Sequence, residues 1–174
     1  MELTGASALT ALAEIAIGFA GFSAIVAALF RRRRPGGSMP FDEVRFLVML
    51  EFSLAVVVFS LLPLALDLLG NAEVRVWRSA SGLLAAFLIF HLVGDYFLTI
   101  RRQSVAAQSI TWSIYVIATV GISLCAVSLL LSAAGVQIAP LAGIYISCLL
   151  WLIVLAAIHF TRLAWLVASS TDQG

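Results

Sequence analysis

Four consecutive arginines, Arg31 to Arg34, stand between two long apolar runs and are followed by Pro35-Gly36-Gly37. Such a block does not enter hydrocarbon, because each arginine at the centre of a bilayer costs about 2.5–3.5 kcal/mol on the insertion scale. It therefore pins one point of the chain in water, and the positive-inside rule makes that water the cytoplasm. The remaining topology is counted from this point.

The apolar runs are long enough to matter. Hydrophobic residues make up 63% of the 174, against about 45–50% in soluble domains. Each run reaches the roughly 20 residues that cross a bilayer core, so spans and short connections use up the chain. The net charge of +1 gives no electrostatic reason to expect a nucleic-acid partner. All ten basic residues are arginine. A chain without lysine has no Schiff-base lysine and no phosphate-loop lysine. Met1 is followed by Glu2 and no basic segment precedes the first apolar run. A cleavable signal peptide is therefore not expected, and the first helix is expected to start outside.

These observations predict an all-α fold, an integral membrane helical bundle of five transmembrane helices in a single domain, 1–174. The N-terminus is expected outside and the C-terminus in the cytoplasm. The spans are read at 7–30, 41–69, 76–100, 109–134 and 141–168. On this threading Arg31–Arg34, Arg45, Arg101, Arg102 and Arg162 fall inside and only Arg75 and Arg78 outside, the bias the rule demands. A four-span alternative would leave the first segment re-entrant or peripheral. Pro40, with Asp42 and Glu43 in the next turn, suits a helix start. Gly70-Asn71 suits a helix stop. Pro63 should kink the second span. Trp77 and Tyr145 are expected at the outer interface.

The first span carries two small-residue faces. Ala13, Ala16, Ala20 and Ala24 recur at helical spacing, and Glu14, Gly18, Gly21 and Ile25 form a second face. Small residues let helices approach closely where lipid supplies no hydrophobic drive. This packing face, with Gly18 and Gly21, predicts self-association as a homo-oligomer. The run Glu14-Ile15-Ala16-Ile17-Gly18-Phe19-Ala20-Gly21-Phe22 resembles segments of small bacterial membrane proteins, a likeness that carries no activity and no site residue.

Ionisable groups inside the spans are expensive and are functional candidates for that reason. Counted at 1.5 Å per residue, Glu51, His91 and His159 come to one layer, roughly 13–15 Å from the inner edge. Arg45, Asp95 and Arg162 come to a lower layer, about 6–9 Å in. Glu14 lies alone in the outer half. The expected function is an oligomeric channel or transporter for a small ion, a cation or a proton, in a bacterial inner membrane. Glu14 would be its outer acidic site, and Glu51, His91 and His159 its inner relay. Asp95 would hold His91, and Arg45 and Arg162 would set the field at the mouth.

Other readings of the same residues stay open. They form an ion-pair network that fixes the helices, or a metal site built from His91, Asp95, Glu51 and His159. His91 and His159 at one depth also meet the first requirement of a bis-histidine haem. No cofactor is required by the sequence. A non-conducting subunit that binds partner helices is the alternative from another class. Cys125 and Cys148 fall at matching depths in the last two spans and are expected to be neighbours. Ser53, Ser60, Thr119, Ser123, Ser128 and Ser147 are read as interhelical hydrogen bonds or as bonds back to their own helix. No nucleophile elbow, phosphate loop or HExxH run occurs, so an enzyme is not expected.

Overall fold

A computed structural model of the chain describes residues 3–33, 40–101, 109–136 and 140–171, with side chains over 3–25, 49–94, 115–136 and 140–161. It is helical: α1 spans Ala6–Arg33, α2 Pro40–Leu68, α3 Glu73–Arg101, α4 Ser109–Ala133 and α5 Leu141–Thr171. Every helix end lies within three residues of the span read from sequence. All five helices contain a segment long and apolar enough to cross a membrane: Ala6–Ile25, Met49–Leu68, Glu73–Gly94, Tyr115–Ala133 and Leu141–Thr161. By length and composition all five helices are thus compatible with a multi-pass membrane protein.

Local chemistry explains where the helices stop. Gly70 takes φ +75° just beyond α2 and its N–H donates to the Asp67 carbonyl at 2.9 Å. The Asn71 side-chain amide donates to the Leu66 carbonyl at 3.0 Å, satisfying one of the carbonyls orphaned at the helix end. The end of α4 is a full Schellman cap. Gly135 has φ +86°, its N–H donates to Ser132 at 3.1 Å, and Val136 N–H donates to Leu131 at 3.0 Å. α2 continues unbroken through Pro63, whose ring removes one rung of the helical ladder.

The chain divides into two compact units. One joins the N-terminal segment ending at Gly5 to Pro63–Cys148; the other joins Ala6–Leu62 to the segment from Leu149 onward. In the first unit α3 packs along α4. Small residues permit the approach: a Cβ placed on Gly82 would stand 3.7 Å from that of Ala133. Trp77 of α3 meets Tyr145 of α5 edge to face, ring centres 5.6 Å apart. Backbone N–H of Thr4 donates to a Glu73 carboxylate oxygen at 3.3 Å, tying the N-terminal residues to the start of α3.

In the second unit α1 buries Leu9, Leu12, Ala13, Ala16 and Ser23, the three-and-four spacing of one helix face. The Ser23 hydroxyl donates to the Phe19 carbonyl and lies 3.4 Å from the Met49 sulfur, which joins α1 to α2. Phe160 of α5 meets Phe19 and Phe22 edge on, at 6.1 and 5.2 Å. Ala20 is half-buried and Ala24 exposed, so the alanine face turns gradually out of the packing toward the end of the segment. Trp77 and Tyr145, both read from sequence as outer-interface residues, are buried against each other in the edge-to-face arrangement aromatic rings prefer.

Candidate functional site

The polar groups singled out from sequence fall into two environments. Glu14 on α1 and Glu51 on α2 both belong to the second unit, and both stand exposed within segments apolar enough to cross a membrane. Around Glu14, the stripe of α1 made by Gly18, Gly21 and Ile25 is also exposed. These positions repeat at four and three residues, so they run straight along one side of the helix. A Cβ added at Gly18 or Gly21 would meet nothing within 4 Å. No hydrogen bond or ion pair from the described residues reaches Glu14. On α2 the exposed face continues from Glu51 through Leu54, Val58 and Leu61. Two carboxylates therefore stand out on otherwise apolar surfaces.

The histidines are placed differently. His91 lies in the first unit on the buried face of α3, 8% exposed. Its imidazole stacks on Phe87 one turn earlier, ring centres 6.4 Å apart and planes 24° apart. His159 lies in the second unit, half-buried on α5 beside Phe160. The backbones of Arg45, Asp95 and Arg162 lie in α2, α3 and α5, but their side chains are outside the described residues. So are the side chains of Arg31 to Arg34. Among the described residues, no group of three His, Cys, Asp or Glu side chains converges to hold a metal ion.

Other polar groups carry clear geometry, some read from sequence and some, such as Ser81, not. Cys148, buried at the first turns of α5, places its sulfur 3.9 Å from the Cys125 carbonyl of α4. Hydroxyls on the apolar helices mostly bond back to their own helix. Ser53 donates to Met49, Ser123 to Thr119, Ser128 to Leu124 and Ser132 to Ser128, all at 2.8–2.9 Å. Ser60 and Ser81 do not, and neither buried hydroxyl has a hydrogen-bond partner among the described residues. The Trp77 indole nitrogen is likewise buried without one. The spacing of Glu73, Trp77 and Ser81 at intervals of four was the available sequence signal, since it lines three polar heads along one face of α3. The first unit also holds a cation at a helix end: the Arg78 guanidinium lies against Gly135, its Nη2 2.7 Å from where a Cβ would sit. Comparison with protein-family models, with curated proteins and with solved structures finds no match for the chain.

Proposed function

We propose that the chain is an ion-conducting subunit of a homo-oligomer in a bacterial inner membrane, with its N-terminus outside and its C-terminus in the cytoplasm. The carrying observation is the exposure of Glu14 and Glu51 on helices otherwise clothed for lipid. A carboxylate turned to hydrocarbon costs about 2.5–3.5 kcal/mol even on the lenient scale. A second copy or a water-filled lumen removes that cost and acyl chains do not. The exposed Gly18 and Gly21 beside Glu14 leave room for a neighbouring helix backbone. His91 and His159 add two imidazoles on α3 and α5, and the arginines that follow the first apolar run, Arg31 to Arg34, would mark the cytoplasmic mouth. A small cation or proton is the substrate class suited to carboxylates and imidazoles.

The open glycine stripe also favours a second reading, a non-conducting subunit that docks helices of another membrane protein. Reconstitution separates the two. Purified protein in liposomes should pass ions above empty vesicles, and Glu14→Gln or Glu51→Gln should reduce that flux at least several-fold. Wild-type vesicles as tight as empty ones across pH and voltage would leave only the docking reading.

A further inference from the structure

We infer that the outer half of the path is a hydrated pocket on α3, built by Trp77 and Ser81, and that it passes protons rather than dehydrated alkali cations. The proton assignment rests on the conduction reading above; the pocket does not.

Trp77 is 2% exposed and Ser81 fully buried. They are four residues apart, so their polar heads share one face of α3 about 6 Å apart along its axis. Neither the indole N–H nor the hydroxyl has a hydrogen-bond partner among the described residues. Buried polar groups are almost always paired, and inside a membrane helix a serine has an easy solution in its own carbonyl four residues back. Ser53, Ser123, Ser128 and Ser132 take it. Ser81 does not. The Glu73 carboxylate, one turn before Trp77, is near enough to interact with the indole but outside hydrogen-bond geometry. Tyr145, also buried, closes the other side of the indole.

Water satisfies this pair. It accepts from the indole N–H, and both donates to and accepts from the hydroxyl, giving the two or more polar partners an internal water needs. A metal cation does not fit. An indole N–H only donates, and one serine oxygen falls far short of the several oxygens that replace a hydration shell. Glu73, exposed and held by Thr4, places a carboxylate at the mouth of the pocket. Beyond Ser81 the same face becomes apolar at Leu84 and Leu88, both fully buried. It turns polar again at His91, ten residues or about 15 Å on.

Indole exchange and ion flux test the two halves. In protein carrying ¹⁵N-labelled indoles, the Trp77 resonance is the one lost in Trp77→Phe. It should show a cross-peak to water and exchange into D2O within minutes. Protection for hours, like the backbone amides of α3, would overturn the pocket. In liposomes, a pH dye should report proton flux while sodium and potassium dyes report none, and Ser81→Ala should lower proton flux at least three-fold. Sodium or potassium passing as fast as protons would overturn the proton assignment and leave the conduction reading standing. Proton flux indifferent to Ser81→Ala would place the path elsewhere. No flux of any ion ends the conduction reading and the proton assignment together, and indole exchange then decides the pocket alone.

Discussion

Gly135→Ala perturbs the molecule at one defined point, and its cost can be worked from the cap geometry. Gly135 holds φ +86°, a left-handed conformation that costs an L-residue with a Cβ about 1–2 kcal/mol. The new methyl would also fall 2.7 Å from Nη2 and 3.0 Å from Cζ of Arg78, closer than any non-bonded contact allows. The guanidinium ends a flexible side chain and moves aside, at the loss of its seat against the cap. Gly70→Ala is the internal control. Gly70 has φ +75° with nothing within 4 Å of the added methyl, so it carries the backbone penalty alone. Thermal unfolding in detergent, followed by circular dichroism, reads both. At about 2–4 °C per kcal/mol for a chain of this size, each variant should melt several degrees lower, with Gly135→Ala the worse. Adding Arg78→Ala to each should erase the difference between them. Equal melting of Gly135→Ala and wild type, within a degree, would refute the left-handed cap; equal melting of the two glycine variants would refute the seating of Arg78.

Ser23→Ala removes a hydroxyl that donates to Phe19 and touches the Met49 sulfur, and should cost about 0.5–1.5 kcal/mol by reversible unfolding. No change would mean that α1 and α2 are held without it. Gly18→Leu enlarges a side with open space, so a single copy should fold as before while cross-linked oligomers disappear from gels; oligomers that survive place the copy-to-copy contact elsewhere. Cys148 is buried and Cys125 half-buried, so a membrane-permeant maleimide should label Cys148→Ser protein faster than Cys125→Ser protein, and the reverse order would contradict the packing of α4 on α5.

Helix existence was legible because apolar runs and their punctuation agree. Pro40 opens α2, Gly70 and Gly135 close α2 and α4, and each does so by a conformation that its residue type favours. The start of α3 was placed three residues late. Ala72 accepts from Arg75 and Val76, and Glu73 in the first turn complements the helix dipole, so a polar opening that looked like loop is already helix. Facing was the harder property. In a soluble bundle, polarity marks the outside of a helix. Here exposed Ile15, Phe22 and Val58 are as apolar as buried Leu84 or Leu152, so periodicity carries little contrast. Counting depth put Glu51 and His91 in one layer. It could not distinguish the exposed side of α2 from the buried side of α3. Ser81 was invisible for a related reason: a serine in a membrane helix usually bonds its own backbone, and only coordinates reveal one that does not.

The bond from Thr4 to Glu73 sets an order of events during synthesis. Its partners are 69 residues apart. At a translation rate of roughly 5–20 residues per second, Thr4 waits on the order of 3–14 s before the carboxylate it will hold has been made. The segment around Thr4 therefore settles only once the head of α3 exists, and a change that crowds Thr4 is felt at Glu73, 69 residues away.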